Sequence, residues 1–458
     1  MVHLGTTAYV EEDRMSHVRP SAQLDRRRML ALGGATAGMG LLAACGGNTG
    51  RSTSSTTSTG TGAISSPGGS TSAGGAKPTL QQWYHQYGET GTQQAVEGYA
   101  KAYTAADVKV TWKPGDYDQT TAASLLTSSG PDVFEYGNGP TIDMIKGGQV
   151  ADLTGLLGDA ESDFNPAMIK RMTYDGKLWA VPQVIDMQIL VYRKSLLDKA
   201  GVTPPETIDD LIAAAQKLTV DKTKGLFLGN DGGVGLMGGP MLFSSGLDYL
   251  NDDGSFGFDD QKAVDAFGKL REMFTSTYLL LAAPKDWYDA SALTSGLTAM
   301  QFTGLWTFPS IQKELGDDFG AIPWPAMPGG KKSVVVGAYG SCVNAKSADV
   351  DAAKAFVKWL WVDQTDKQLD FATAYGFHIP ARASLVPKAT TLQSGPAKDA
   401  AAAAQEFGHA QSTILWTPKC ATAFGDMMTK IVKDGADAKA EIAKVKAVAD
   451  AEVKRVLG

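Results

Sequence analysis

The sequence feature that most limits how this chain can fold is a segment of low complexity near its N-terminus. Of the 33 residues from 46 to 78, 24 are Gly, Ser or Thr. Such a segment buries too little apolar surface to offset the entropy that it would lose on ordering. We therefore expect a flexible linker with a mean end-to-end distance of about 30 Å. The linker separates a short N-terminal part from a large globular body.

The residues before the linker have the three parts of an export signal. Residues 25–28 are Asp-Arg-Arg-Arg, residues 29–42 are apolar or small, and Leu-Ala-Ala precedes Cys45. A signal peptide needs an apolar stretch of about 7–15 residues, whereas a membrane span needs about 20. The paired arginines favour the twin-arginine export route. We predict that residues 1–44 are a signal peptide of the lipoprotein type, and that residues 45–78 are the lipidated Cys45 and its linker.

The globular body, residues 79–458, is too long for a single ordinary core. Hydrophobic cores stop growing at about 250–300 residues, so a body of about 380 residues predicts two lobes. The net charge of −7 argues against nucleic acid and anionic lipid surfaces as partners. Besides Cys45, the chain has Cys342 and Cys420, which could pair in an exported protein. The sequence leaves that pairing open, because it depends on the distance between the two residues.

Strand-like and helix-like patterns alternate along the body. Residues 80–84 and 108–112 have strand character, residues 92–104 have apolar residues at helical spacing, and residues 131–134 predict a short buried strand. This alternation favours an α/β lobe with a mainly parallel sheet. Thr207 and Asp210 predict the capped start of an amphipathic helix. The Gly-rich residues 229–239 lack the spacing of a phosphate-binding loop and predict a loop near a cleft.

Four segments of the body follow one another in an order typical of a known family. They are DGKLWAVP at 175–182 with VYRK at 191–194, AGV at 200–202 with PPETIDDL at 204–211, AM at 299–300 with GLW at 304–306, and Gly376 with Pro380 and Arg382. With these segments the chain resembles the extracellular solute-binding proteins of family 1, the receptor lipoproteins of carbohydrate ABC importers. Arg193 and Ile208 depart from the usual family residues, which are Asn and Trp.

The resemblance implies an α/β, two-lobed periplasmic-binding-protein-like fold with a ligand cleft between the lobes and crossover hinge segments. It places the N-terminal lobe at residues 79–184 and 327–380, and the C-terminal lobe at residues 189–322 and 385–458. It also implies a diacylglyceryl group on Cys45 and membrane permeases of an ABC importer as partners. We expect a lipid-anchored monomer on the outer face of the cell membrane, with no catalytic residue, cofactor or metal ion.

The chemistry of a sugar indicates which side chains could bind it. Sugar ring faces stack on aromatic rings, and sugar hydroxyls hydrogen bond with carboxylates and amides. Trp306 matches the family's stacking tryptophan, and Asp186 falls where some sugar receptors place an acidic contact near the hinge. The candidate ligand-binding residues are Trp83, Tyr87, Glu89, Tyr136, Asn138, Asp186, Trp306, Tyr339 and Gly340. The alternatives are structural: Trp306 could belong to the core, Asp186 could cap a turn, and His378 would be an ordinary structural histidine.

Other functions remain open at this point. Paired carboxylates in a sugar cleft could belong to a glycosidase, although the sequence has no Gly-x-Ser-x-Gly or His-Glu-x-x-His motif. The same fold could bind a polyol, a glycerophosphodiester or ferric iron, and Tyr84 with Tyr87 is a weak indication of iron. An adhesin or a signalling receptor is a further alternative. The sequence favours a sugar receptor, and it identifies neither the sugar nor its chain length.

Overall fold

A computed structural model describes residues 77–87, 89–375 and 377–458. The predicted signal peptide, Cys45 and the linker up to residue 76 lie outside the described residues, so those assignments stay predictions. In the described part of the chain, no helix is both long enough and apolar enough to cross a membrane.

The strands of the described residues are short and distributed along the whole body. They are β1 (Thr79–His85), β2 (Asp107–Lys113), β3 (Val133–Gly137), β4 (Thr173–Tyr174), β5 (Lys177–Leu178), β6 (Val181–Pro182), β7 (Val184–Tyr192), β8 (Lys224–Phe227), β9 (Leu279–Leu280), β10 (Thr298–Gly304), β11 (Gly320–Ile322), β12 (Val334–Gly337), β13 (Tyr339–Val343), β14 (Ile379–Pro380) and β15 (Gly408–Ala410).

Helices fill most of the intervals between these strands. They are α1 (Thr92–Ala102), α2 (Tyr117–Leu125), α3 (Ile142–Lys146), α4 (Pro166–Met172), α5 (Lys194–Ala200), α6 (Ile208–Leu218), α7 (Gly238–Ser244), α8 (Gln261–Phe274), α9 (Ser291–Thr294), α10 (Phe308–Leu315), α11 (Val350–Lys358), α12 (Thr365–Asp370), α13 (Gly395–Phe407), α14 (Pro418–Thr429) and α15 (Ala438–Leu457). The predicted cap of α6 is confirmed, since Thr207 and Asp210 each accept a hydrogen bond from the other's backbone N–H.

The first sheet has the strand order β2–β1–β3–β13–β6. Strand β1 pairs in parallel with β2 and β3, as the alternating pattern predicts. Strand β13 instead runs antiparallel to β3 and β6. The sheet is therefore mixed: the expected parallel pairing holds for β2, β1 and β3, and it ends where a strand that arrives from the other sheet completes this one.

The second sheet is built around the long strand β7. Its order is β15–β12–β7–β10–β8–β9, and β11 and β14 also pair with β7. The chain passes from the first sheet to the second between Pro182 and Val184, and it returns between Gly337 and Tyr339. Within the predicted first-lobe range 327–380, strands β12 and β14 pair with β7 of the second sheet. These crossings place several distant segments of the chain side by side.

The buried hydrophobic residues form two cores, and the first of them also packs on one face of the second sheet through residues such as Val191 and Val336. Tyr84 and Phe134 belong to the first core, and Phe302 and Trp324 belong to the second. The two described cysteines are separate free thiols: Cys342 is buried in the first core, and Cys420 is buried in the second. Two cores with crossover strands between them confirm the predicted two-lobed α/β architecture.

Candidate ligand-binding cleft

A cleft of about 230 Å³ opens where the ends of the two sheets meet. Strand β7 and the segment from β12 to β13 form its floor, and residues that follow β3 and β10 complete its walls. The lining residues are Asp118, Gly137, Asn138, Asp186, Met187, Gln188, Trp306, Val335, Gly337, Ala338, Tyr339 and Gln411. The lining combines two aromatic rings with carboxylate and amide groups, which is the mixture that the sequence analysis expected.

Trp306 stands at the end of β10, and Gly304 makes room for its ring. A Cβ atom at position 304 would lie 2.0 Å from Cζ3 of the indole, so only glycine permits this packing. The indole N–H donates to the carbonyl of Tyr288 at 2.9 Å. The ring also packs edge-to-face against Trp287, with centroids 5.8 Å apart. These contacts give the Gly-x-Trp spacing a physical reason, because they fix the indole at the cleft wall.

Asp186 lies within β7, where it faces the cleft and does not cap a turn. Gly337 of β12 is its partner in the antiparallel register. A side chain at position 337 would meet the Oδ1 atom of Asn138 at 2.8 Å, so this glycine keeps the space beside Asp186 open. On its other side, Asp186 forms an ion pair with Nδ1 of His378.

Asn138 connects the two sides of the cleft. It has a backbone φ of 60°, in the left-handed region that asparagine tolerates better than most residues. Its amide Nδ2 donates to Oε1 of Gln411 at 3.2 Å. Its Oδ1 accepts from the backbone N–H of Ala338 at 3.3 Å. The side chain thereby joins the end of β3 to the crossover segment and to the loop after β15.

A buried polar network supports the cleft beneath Tyr339. Glu135 accepts from the N–H of His85 at 2.9 Å and from the hydroxyl of Tyr87 at 2.8 Å, and its Oε1 lies 2.5 Å from Nδ1 of His85. The imidazole of His85 stacks on Tyr339, with ring centroids 4.4 Å apart. Burial lowers the pKa of His85, but the charge and hydrogen bond of Glu135 outweigh it, so the pKa is raised. A protonated His85 is therefore favoured beside this carboxylate.

Asp118 is an acidic group of the cleft that sequence reasoning missed. Burial, followed by the charge of Glu135, raises its pKa from 3.8 to about 6. Asp118 lies in the first turn of α2, just beyond Asp116 and Tyr117, and no sequence motif marks it. Gln188 was also missed, although it shares a face of β7 with Asp186 because strand side chains alternate. Gln411 follows a short strand with no pattern that could have identified it.

The structure brings four of the nine predicted residues to the cleft lining: Asn138, Asp186, Trp306 and Tyr339. The other five lie behind it. Tyr136 is buried, with its hydroxyl 3.3 Å from the carbonyl of Asp118. Trp83 packs under the ammonium of Lys113, and Tyr87 bonds to Glu135.

The remaining two residues support the cleft from below. Gly340 is buried where a Cβ atom would meet that of Ala180 at 2.8 Å. Glu89 lies with its Oε1 3.8 Å from Nε2 of His378.

A second cavity of about 260 Å³ continues the cleft and shares Asn138, Gln188, Val335 and Gln411 with it. It adds aromatic surface from Phe243, Tyr249 and Trp416, of which Tyr249 and Trp416 stack with centroids 4.8 Å apart. Gly235 lines this cavity together with Gly238 and Gly239, so the predicted loop does lie near a cleft, but its last two glycines begin α7. In the described part of the chain, no group of three or more His, Cys, Asp and Glu side chains could hold a metal ion.

This fold, with an open cleft between two α/β lobes, defines a solute-binding protein. Residues 87–364 match the bacterial extracellular solute-binding proteins, and the chain belongs to that family. The described fold and the family thus agree with the resemblance seen in the sequence.

Two curated relatives are similar over much of their length. The diacetylchitobiose binding protein DasA of Streptomyces coelicolor is 28% identical over 341 residues, which are 69% of this chain and 74% of that protein. The maltodextrin-binding protein MdxE of Bacillus subtilis is 28% identical over 289 residues, which are 55% of this chain and 63% of that protein. Both are binding proteins by name.

Two solved structures share the fold. The GacH receptor of Streptomyces glaucescens, solved unliganded and with acarbose, has a TM-score of 0.72 and 25% identity, over 83% of this chain and 99% of that one. The cyclic alpha-maltosyl-1,6-maltose binding protein of Arthrobacter globiformis has a TM-score of 0.67 and 21% identity, over 83% of this chain and 100% of that one.

Proposed function

We propose that this protein captures a sugar in the cleft between its lobes and delivers it to the membrane permeases of an ABC importer. The observation that carries the proposal is the composition of the cleft. Trp306 offers a ring face for stacking, while Asp118, Asp186, Gln188 and Gln411 offer groups for hydroxyls. The family and the relatives named above are binding proteins, and we propose binding without turnover here.

An oligosaccharide fits the cleft better than a single sugar unit. Two contiguous cavities of about 230 and 260 Å³ form one groove, with Trp306 in the first and Trp416 in the second. A first sugar ring would stack on Trp306 and a second would lie in the aromatic-lined second cavity, where Trp416 is itself 9% exposed and stacks on Tyr249. The names of the relatives, which include a diacetylchitobiose and an arabinooligosaccharide binding protein, support the same class of ligand.

The charge of the cleft argues against an anionic solute. Asp118 and Asp186 line the cleft, and none of the described residues that line it is Lys or Arg. A phosphodiester there would face like charges without a cationic partner. A neutral, hydroxyl-rich ligand instead matches acceptor groups that are already in place.

A ligand screen by thermal shift tests the proposed function on the full chain with Cys45→Ser. The panel contains maltotriose, diacetylchitobiose, arabinotriose and acarbose, together with sorbitol, glycerophosphocholine and ferric citrate. A sugar at about 100 times its Kd is expected to stabilise the protein by about 2.7 kcal/mol. Stabilisation by ferric citrate or glycerophosphocholine, with no response to any sugar, contradicts the proposal.

We further propose that Cys45 anchors the monomeric receptor in the membrane after export by the twin-arginine route. The support is the arrangement of Arg26, Arg27 and the Leu-Ala-Ala-Cys sequence ahead of the linker. In a lipoprotein-exporting host, the wild-type chain is expected in the membrane fraction with incorporated palmitate. The Cys45→Ser chain is expected to lose the label and to leave that fraction. Equal membrane retention of both chains contradicts the anchor, and Cys420→Ser is the matched control.

A further inference from the structure

His378 is a buried histidine that the sequence analysis assigned no part in binding. It is 4% exposed and immediately precedes β14. Ile379 and Pro380 pair antiparallel with Ile185 and Val184. Continuing this register places His378 directly beside Asp186, which lines the cleft. The histidine therefore stands behind the cleft wall, on a segment where the crossover strands meet.

The imidazole lies between two carboxylates. Its Nδ1 bonds to Oδ1 of Asp186, and its Nε2 has no hydrogen-bond partner among the described residues, with Oε1 of Glu89 at 3.8 Å. Phe371 lies nearly parallel to the ring, with centroids 6.4 Å apart. A buried polar atom without a partner lowers the free energy of unfolding by about 1–3 kcal/mol. The placement of Nε2 therefore does not stabilise the fold, and a role in ligand binding would explain it.

We propose that His378 is a positioning residue for the ligand, which as an imidazolium holds the Asp186 carboxylate at the cleft wall. The bond to His378 uses Oδ1 of Asp186 and leaves Oδ2 to accept from a sugar hydroxyl. A charge-assisted bond restrains the carboxylate more strongly than a neutral one. The facing Glu89 follows β1, so the same imidazolium links the first lobe to the crossover strands. This inference rests on the proposed function.

The surrounding charges favour the imidazolium. Burial lowers the pKa of His378, but the charges of Asp186, Glu89 and Glu135, from three different segments, raise it overall above 6.5. His85 is a further titratable group of the same cluster, since Asp186, Glu89 and Glu135 act on it as well. Because the folded pKa is raised, the stabilisation from the pair is present below the ordinary pKa and is lost as the pH rises through the folded one.

Loss of the proton changes what faces each carboxylate. A neutral His378 can still donate from Nδ1 to Asp186, but its Nε2 then directs a lone pair towards Glu89. The bond to Asp186 then loses its charge assistance, and the lone pair of Nε2 repels Glu89. Both changes weaken the hold of His378 on the Asp186 carboxylate at the cleft wall. Sugar affinity should therefore fall as the pH rises, and the fall should depend on His378 and Asp186 together.

Calorimetry with maltotriose and diacetylchitobiose measures this dependence on the full chain with Cys45→Ser. The parent chain is expected to bind about tenfold more weakly at about pH 9 than at about pH 6. His378→Gln is expected to bind about tenfold more weakly at about pH 6 and to keep only the pH dependence that Asp118, whose pKa is about 6, adds in the same cleft. His409→Gln is the matched control, because it removes a second histidine–carboxylate pair, with Asp248 at 3.2 Å, and it should keep the parent profile.

Nuclear magnetic resonance of the histidine side chains gives an independent measurement without ligand. The pKa of His378 is expected above 6.5 in the parent chain and lower in Asp186→Asn. If His378→Gln does not fold, this pKa measurement alone tests whether His378 is an imidazolium beside Asp186. Absence of binding by the parent chain to every sugar of the thermal-shift panel contradicts the proposed function and this inference with it. Normal sugar binding with an unshifted His378 pKa, or with the parent pH profile in His378→Gln, overturns the inference alone.

Discussion

Trp306→Ala is expected to lower sugar affinity about 30-fold, or about 2 kcal/mol, with little change in stability. The indole is only partly buried and lines the cleft, so its free surface is available to a sugar ring. Buried aromatic anchors carry much of the binding energy at interfaces of this kind. Isothermal titration with the sugar that responds most strongly in the thermal screen measures the loss.

Two further variants separate stacking from general effects. Trp359→Ala truncates another partly buried tryptophan, which packs on Tyr103 in the first core, and should leave affinity unchanged. Gly304→Ala keeps the indole but places a methyl group 2.0 Å from it, so it should displace the ring and weaken binding. Affinity of Trp306→Ala within about threefold of wild type, about 0.6 kcal/mol, would show that the indole does not bind the sugar.

Glu135→Ala is expected to lower the free energy of unfolding by about 3–5 kcal/mol. The side chain of Glu135 is fully buried, and it forms hydrogen bonds with the backbone N–H and the ring of His85 and with the hydroxyl of Tyr87. Its removal leaves these partly buried groups without that partner. Urea denaturation followed by tryptophan fluorescence measures the change.

A surface ion pair provides the control for Glu135. Lys170 and Asp252 pair at 2.9 Å with side chains 77% and 95% exposed. Exposed pairs contribute about 0–1 kcal/mol, so Asp252→Ala should change the stability only slightly. If both variants lose about the same small amount, the network under Tyr339 does not contribute to the stability of the first lobe.

Local sequence patterns predicted a large part of the fold. The alternation at Val108, Val110 and Trp112 corresponds to β2, and the capped pattern that begins at Thr207 corresponds to α6. These signals are local, because strand alternation and helix capping involve residues close together in the chain. The pairing of β12 and β14 with β7 is not local, and no pattern at residues 334–337 distinguishes one sheet from the other.

The residues of the cleft also divide into those marked by local sequence patterns and those brought there by distant strand pairing. Trp306 and Asp186 were found through segments with recognisable neighbours, while Gln411 reaches the cleft only because β15 pairs with β12. Tyr87 and Glu89 have the residue types that bind sugars, but the fold turns them towards Glu135 and His378 instead. Residue type predicts the chemistry of a side chain, whereas its direction depends on packing against distant parts of the chain.

The amino-acid order alone was sufficient for the class of protein, the two lobes and the chemistry expected of the ligand. The two lobes follow from chain length and local periodicity, whereas the class of protein and its ligand follow from the resemblance of short motifs to a known family; none of these depends on long-range contacts. The partners of Asp186 were decided by the tertiary structure. Strands β7, β12 and β14 bring Gly337 and His378 to either side of it from 151 and 192 residues away. Hydrogen-bond register between such distant segments is set only when the sheets assemble.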